Sequence, residues 1–129
     1  MDIKELLSLL LERAAEGEHC EFKLITTWRE YWFVRRSMQS LKVIIRTLTK
    51  SYHRTFKRYC REVSKGNPSV TKLFACNALQ TAIDFYIAEY NIQFDMIDEF
   101  ETYAARGKFL DSLLFGARLE QDMWDHRKD

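Results

Sequence analysis

The sequence predicts an all-α protein, a helical bundle built around a long antiparallel helical hairpin that turns at residues 66–68. Three observations carry this. Four glycines and one proline in 129 residues are too few for the turns of a many-stranded sheet. Two long apolar stripes recur every three or four residues, the period of one helix face. Between them stands Lys65-Gly66-Asn67-Pro68, where Gly suits a helix end and Pro cannot continue one. The length is that of a single helical domain over residues 1–129.

Asp2-Ile3-Lys4-Glu5 has capping-box spacing, and Ile3, Leu6, Leu7 and Leu10 follow at helical intervals, so a first helix spans 2–14. Gly17, in the polar stretch after it, is the expected stop. Residues 20–36 are ambiguous. Phe22, Leu24, Thr26 and Trp28 alternate as in a strand, while Leu24, Trp28 and Tyr31 also fit a helical period. With no Gly or Pro between His19 and Lys65 to make a turn, helix is favoured and a short β-hairpin is the alternative.

The stripe Leu41, Ile45, Leu48, Tyr52, Phe56, Tyr59 and Val63 marks the first long helix. Asn67 as N-cap and Pro68 at the first helical position start the next. Its stripe is Cys76, Leu79, Ile83, Ile87, Tyr90, Phe94, Ile97 and Phe100, ending near Arg106-Gly107, as one helix or as two joined near Asn91. A last helix carries Phe109, Leu113, Leu114, Ala117 and Trp124 and is interrupted by Gly116.

The net charge of +1 conceals a sorted chain. Residues 1–22 carry a net −4, residues 23–72 a net +11, and residues 73–105 six acids and no base. A hairpin turning at 67 brings together residues whose numbers sum to about 134. Lys50 then stands level with Asp84, Arg36 with Asp98 and Arg35 with Glu99, while Arg46 and Lys42 fall within a turn of Glu89 and Asp95. The open end is thus expected to neutralise itself, each exposed pair contributing about 0–1 kcal/mol. The turn end has no such acids. Arg54, Lys57, Arg58, Arg61, Lys65 and Lys72 face Glu62 alone, a basic pole suited to RNA, DNA or another polyanion. Tyr52, His53, Phe56 and Tyr59 are interleaved there as candidates for base stacking, although the spacing of the three large rings also fits a core.

Trp28, Tyr31, Trp32 and Phe33 crowd large apolar groups onto more than one helix face, which marks an interface for a protein partner or a second copy. A helix buried on most of its circumference is the competing account.

Catalytic and metal chemistry find little purchase. Gly-rich phosphate loops and nucleophile-elbow patterns are absent. His19, His53 and His126 are scattered, and the two Glu-x-x-His motifs that a four-helix di-metal site needs are not present, so no metal or cofactor is expected. Arg46 and His53, separated by six residues and two turns apart on one helix face, resemble the loose Arg-x(4–6)-His signature of HEPN-type ribonucleases. Those are small all-helical proteins, often dimers. The resemblance implies His53 in proton transfer and Arg46 on phosphate charge, though Thr47 stands where that family often carries a polar Asn, Asp or His.

Cys20, Cys60 and Cys76 form no CxxC pair, and no secretory signal or bilayer-length apolar run of about 20 residues is present. Buried, reduced thiols in a cytoplasmic protein are expected. The sequence therefore reads as a non-catalytic binding module or accessory subunit. Nucleic acid or another polyanion is the expected ligand, and an adaptor or inhibitor of an acidic protein partner is the alternative.

Overall fold

The computed structural model of the chain describes the backbone of residues 2–127 and the side chains of residues 2–108, Leu114 and Gln121. Three helices follow one another: α1 (Ile3–Glu16), α2 (Trp28–Ser64) and α3 (Val70–Arg127). No strand occurs among the described residues. α2 and α3 form the antiparallel hairpin, and α1 lies against α3.

Local chemistry sets each boundary. The Glu5 N–H donates to Asp2 Oδ1 at 2.8 Å to open α1. Gly17, at φ 70°, closes it through its own N–H to the Ala14 carbonyl. Residues 18–26 are irregular, so neither the helix favoured over 20–36 nor the alternative β-hairpin forms there. Helix begins only at Trp28. Thr27 Oγ1 accepts the Glu30 N–H at 3.2 Å, while Glu30 Oε2 accepts the Thr26 N–H at 3.1 Å. This is a capping box displaced by one residue at its return bond, and it fixes the helix start more firmly than the weak upstream periodicity.

α2 ends in a Schellman motif. The Gly66 N–H, with φ 75°, donates to the Val63 carbonyl at 3.0 Å, and the Asn67 N–H to the Glu62 carbonyl at 2.9 Å. Asn67 is thereby engaged in closing α2, and Ser69 rather than Asn67 caps α3, its Oγ accepting the Lys72 N–H at 3.3 Å. α3 then runs unbroken through Gly107 and Gly116 to Arg127. The expected stop at 106–107 does not occur, because Gly107 lacks the left-handed backbone that ends α1 and α2. Inside a helix a glycine costs only about 0.5–1 kcal/mol. Trp28 meets Phe100 edge-on at 4.9 Å, so α3 continues past the start of α2 by about 40 Å.

Contacts across the hairpin keep the expected register: Glu62 with Lys72, Lys42 over the Tyr90 ring, and Tyr31 with Glu101. The seam is a heptad one. On α2 the inward residues are Tyr31, Val34, Met38, Leu41, Ile45, Leu48, Tyr52, Thr55, Tyr59 and Glu62, in alternating steps of three and four. On α3 they are Cys76, Leu79, Ile83, Tyr86, Tyr90, Gln93, Ile97 and Phe100. Four residues expected inside are therefore outside: Phe56 (44% exposed), Val63 (46%), Ile87 (41%) and Phe94 (50%). Thr55, Glu62, Tyr86 and Gln93 take their places in the seam.

Two core clusters result. One joins Leu10 and Ala14 of α1 to Leu41, Leu48, Leu79, Ala82, Ile83, Phe85 and Tyr86. The other joins Ile25 to Tyr31, Val34, Met38 and Ile97 near the start of α2. α1 and residues 18–26 thus cover one long flank of the hairpin. Among the described residues no helix is long and apolar enough to cross a membrane.

Candidate functional site

The turn end is built by the Schellman close of α2 and the Ser69-capped start of α3. Arg54, Arg58, Arg61 and Lys65, at steps of four, three and four, make one stripe along α2, with Lys57 beside it. All five are exposed, and among the described residues none has a carboxylate within 4 Å. Lys72 differs: it is half-buried and ion-paired with Glu62 across the turn. Glu62 occupies a seam position, so the sole acid of the tip is spent on Lys72, the base that α3 contributes there. Five cations over about 17 Å remain uncompensated.

The aromatic residues expected among them are distributed otherwise. Tyr52 and Tyr59 are half-buried in the seam. Phe56 stacks on Tyr52 with centroids 5.8 Å apart, on the side of α2 opposite Arg54 and Arg58. His53 is exposed and meets Tyr52 edge-on. The cationic stripe carries charge without a ring platform.

The neutralisation expected at the open end does not form. Lys50 and Asp84, Arg36 and Asp98, Arg35 and Glu99, Arg46 and Glu89, and Lys42 and Asp95 all fail to pair within 4 Å. Asp84 accepts instead from Gln80 Nε2 at 3.1 Å. Glu89 is buried on the flank covered by residues 18–26, where the Cys20 N–H donates to Oε1 at 2.8 Å and His19 Nδ1 lies 3.1 Å away. His19 also stacks on Phe85 at 4.5 Å. Burial alone would raise the Glu89 carboxyl; the bonds from the Cys20 side chain, its N–H and His19 outweigh that and hold it below its usual range. Burial, then Glu89, push the Cys20 thiol up to about 11. Sequence reasoning missed this cluster, since nothing in the chain's pattern links residues 70 positions apart. The one available signal is an acid on the otherwise apolar line Ala82, Phe85, Glu89.

The four residues expected at a partner interface separate. Tyr31 is buried and donates its hydroxyl to Glu101 Oε1 at 2.6 Å. That bond, then burial, raise its pKa. Trp28, Trp32 and Phe33 stay more than half exposed. Trp32 and Phe33 line a groove of about 840 Å³ with Leu24, Lys23, Arg29 and Arg36.

Arg46 and His53 both point to solvent, about 10 Å apart along α2, and no hydrogen bond joins them. Among the described residues no three His, Cys, Asp or Glu side chains converge as a metal site requires. Of the three thiols only Cys76 is buried; Cys20 and Cys60 are exposed, which corrects the expectation of three buried ones. These features define a helical-hairpin protein with a cationic tip. Comparison with protein-family models, with curated proteins and with solved structures finds no match for the chain.

Proposed function

We propose that this protein is a non-catalytic helical binding module that contacts nucleic acid, or another polyanion, through the tip of its hairpin. The observation that supports this is the unpaired stripe Arg54, Lys57, Arg58, Arg61 and Lys65. Like charges held this close repel one another, and an anionic backbone relieves that repulsion while releasing its own counterions. Because the rings lie elsewhere, binding is electrostatic and tolerant of sequence. Lys72, already paired with Glu62, contributes little.

Fluorescence anisotropy of labelled single-stranded RNA and duplex DNA, titrated between 50 and 200 mM salt, tests the reading. Five phosphate contacts give a log–log salt slope of about −3.5 on single strands and about −4.5 on duplex. Arg58→Ala lowers the slope by about 1. The pair Arg54→Glu with Arg58→Glu abolishes binding, whereas Lys72→Ala barely changes it. No binding of either nucleic acid at low salt overturns the proposal.

A second reading is supported by the groove beside Trp32 and Phe33. Its apolar floor and its rim of Lys23, Arg29 and Arg36 suit an acidic amphipathic segment of a protein partner. Glu30, the one acid there, is turned back onto Thr26.

A further inference from the structure

We infer that the uncovered flank of the hairpin is the interface for a second copy of this chain, packed with both turns at the same end. α1 and residues 18–26 close one side of the α2–α3 seam. The opposite side carries Phe56 and Val63 from α2 and Leu73, Ile87 and Phe94 from α3, all exposed. Each stands one position past a seam residue, the place that a third or fourth helix covers in a bundle. Two of their seam neighbours, Glu62 and Gln93, are polar and keep a buried oxygen without a partner. The chain has thus spent apolar bulk beside its seam while leaving polar groups inside it, an arrangement that costs stability in a lone hairpin.

Charge selects the occupant. On this flank α2 presents Arg35, Lys42, Arg46 and Lys50, and α3 presents Asp84 and Asp98. Lys42 leans inward over the Tyr90 ring, and none of the level partners within the hairpin meets within 4 Å. A second hairpin laid face to face, related by a twofold axis along the helices, puts α2 against α3 of the copy. Lys50 then stands level with Asp84 of the copy and Arg35 with its Asp98, so bonds missing within the chain form between chains. The inverted arrangement sets α2 against α2 and opposes Lys42 and Arg46 with like charges.

Size and shape agree. The flank is about 50 Å long and two helices wide, about 900 Å² per copy, within the range of stable dimers. At its middle a depression of about 500 Å³ is lined by Lys42, Ile45, Arg46, Thr49, Lys50 and Tyr90. Ile87 of the copy stands level with Ile45 and fills it. The chain exposes 10408 Å², against about 7,200 Å² for a compact monomer of its mass. The α3 extension accounts for part of the excess and this flank for another part. In the dimer both cationic stripes lie at one end on outward faces, a two-armed contact for one long polyanion.

Sedimentation equilibrium of the full chain tests this. The expected mass is twice 15.5 kDa at micromolar concentration. Phe94→Glu with Ile87→Glu halves the mass while far-UV circular dichroism is retained, since both side chains are exposed in the folded chain. Arg35→Glu and Asp98→Arg each weaken the dimer at least tenfold, and combined they restore it. Lys50→Cys with Asp84→Cys crosslinks copies covalently under mild oxidation. A monomer at 100 μM overturns the inference. So does a dimer that survives Phe94→Glu with Ile87→Glu, which places association at the Trp32 groove or on α3. Failure of the Arg35–Asp98 swap overturns the orientation.

Discussion

The two long flanks of the hairpin are made of the same helices and end differently. On one, Phe85 is stacked under His19, Tyr86 donates its hydroxyl to the Leu10 carbonyl at 2.8 Å, and Glu89 collects two donors from residues 19–20. On the other, Ile87 and Phe94 face outward, 41% and 50% exposed. Composition alone therefore does not decide what is core. The chain segment that folds back decides it, and here the 11 residues between α1 and α2 suffice to carry α1 to one side only. The contrast is sharpest between Phe85 and Ile87, two residues apart on α3. Phe85→Ala leaves a cavity under α1 and should cost about 3–5 kcal/mol. Ile87→Ala should cost under about 1 kcal/mol when urea unfolding is followed below the concentration at which copies associate. Equal costs would mean that the flanks do not differ as described.

Much of the fold is legible in the chain, and the illegible part has a definite cause. Asp2, Gly17 and Gly66 mark helix ends because each satisfies an orphan backbone group, a local event that needs no knowledge of the rest. The level of each residue on the hairpin also follows, since a turn at 67 and a fixed rise leave no freedom. Azimuth is what the pattern conceals. Residues at steps of three or four all read as one stripe, so Phe56 and Val63 are indistinguishable from Thr55 and Glu62 until a partner helix selects a 3.5-residue seam. The same loss of azimuth explains the ion pairs that do not form: Arg35 and Glu99 share a level but not a side. Thr27-Trp28-Arg29-Glu30 was readable as a capping box, and it fixes the start of α2 where periodicity was ambiguous. Of the candidate site, the five tip cations and the pairing-prone position of Glu62 are visible in the sequence. The Glu89 cluster is not, since it depends on where an irregular segment crosses α3.

The covered flank can also be told from the open one by the reactivity at its edge. Cys20 is exposed as a residue, yet its thiol is turned toward Glu89 and held up near 11 from an ordinary value of 9.0. At pH 7.5 its alkylation should run up to about 100-fold slower than an unperturbed thiol, because the thiolate is the nucleophile. Glu89→Gln removes the neighbouring charge and should speed it; mass spectrometry of timed iodoacetamide quenches reads both rates. An unchanged rate in the variant would mean that Glu89 does not govern the thiol.

Glu89 itself gives the flank a pH dependence of known sign. Its folded carboxyl titrates below its unfolded value, so the unfolded chain binds more protons between the two. The stability it contributes is complete above the unfolded value, near 4.3, and is lost as pH falls through the folded one. Glu89→Gln should therefore cost about 1–3 kcal/mol at pH 7, and the gap between variant and wild type should close in acid. Urea midpoints measured from pH 3 to pH 7 follow the closure. A gap that widens in acid would reverse the assignment and place a protonated carboxyl in the folded state.

The smallest effect falls where the covering segment turns into α2. Thr27 sits between Ile25, which is buried on the closed side, and Trp28, which opens onto the uncovered one. Its hydroxyl holds the Glu30 N–H, and Glu30 in turn holds the Thr26 N–H and hydroxyl, so the bend between flanks is tied from both directions. Thr27→Ala breaks one tie and should cost about 1 kcal/mol, whereas Thr27→Ser keeps the oxygen and should cost only tenths. Because the lost bond is at the first turn, hydrogen exchange should accelerate at Glu30 and Tyr31 and not at Leu48, where both flanks share a fully buried seam. Acceleration that reached Leu48 would show that the cap governs the seam itself, and the two flanks would then open as one cooperative unit.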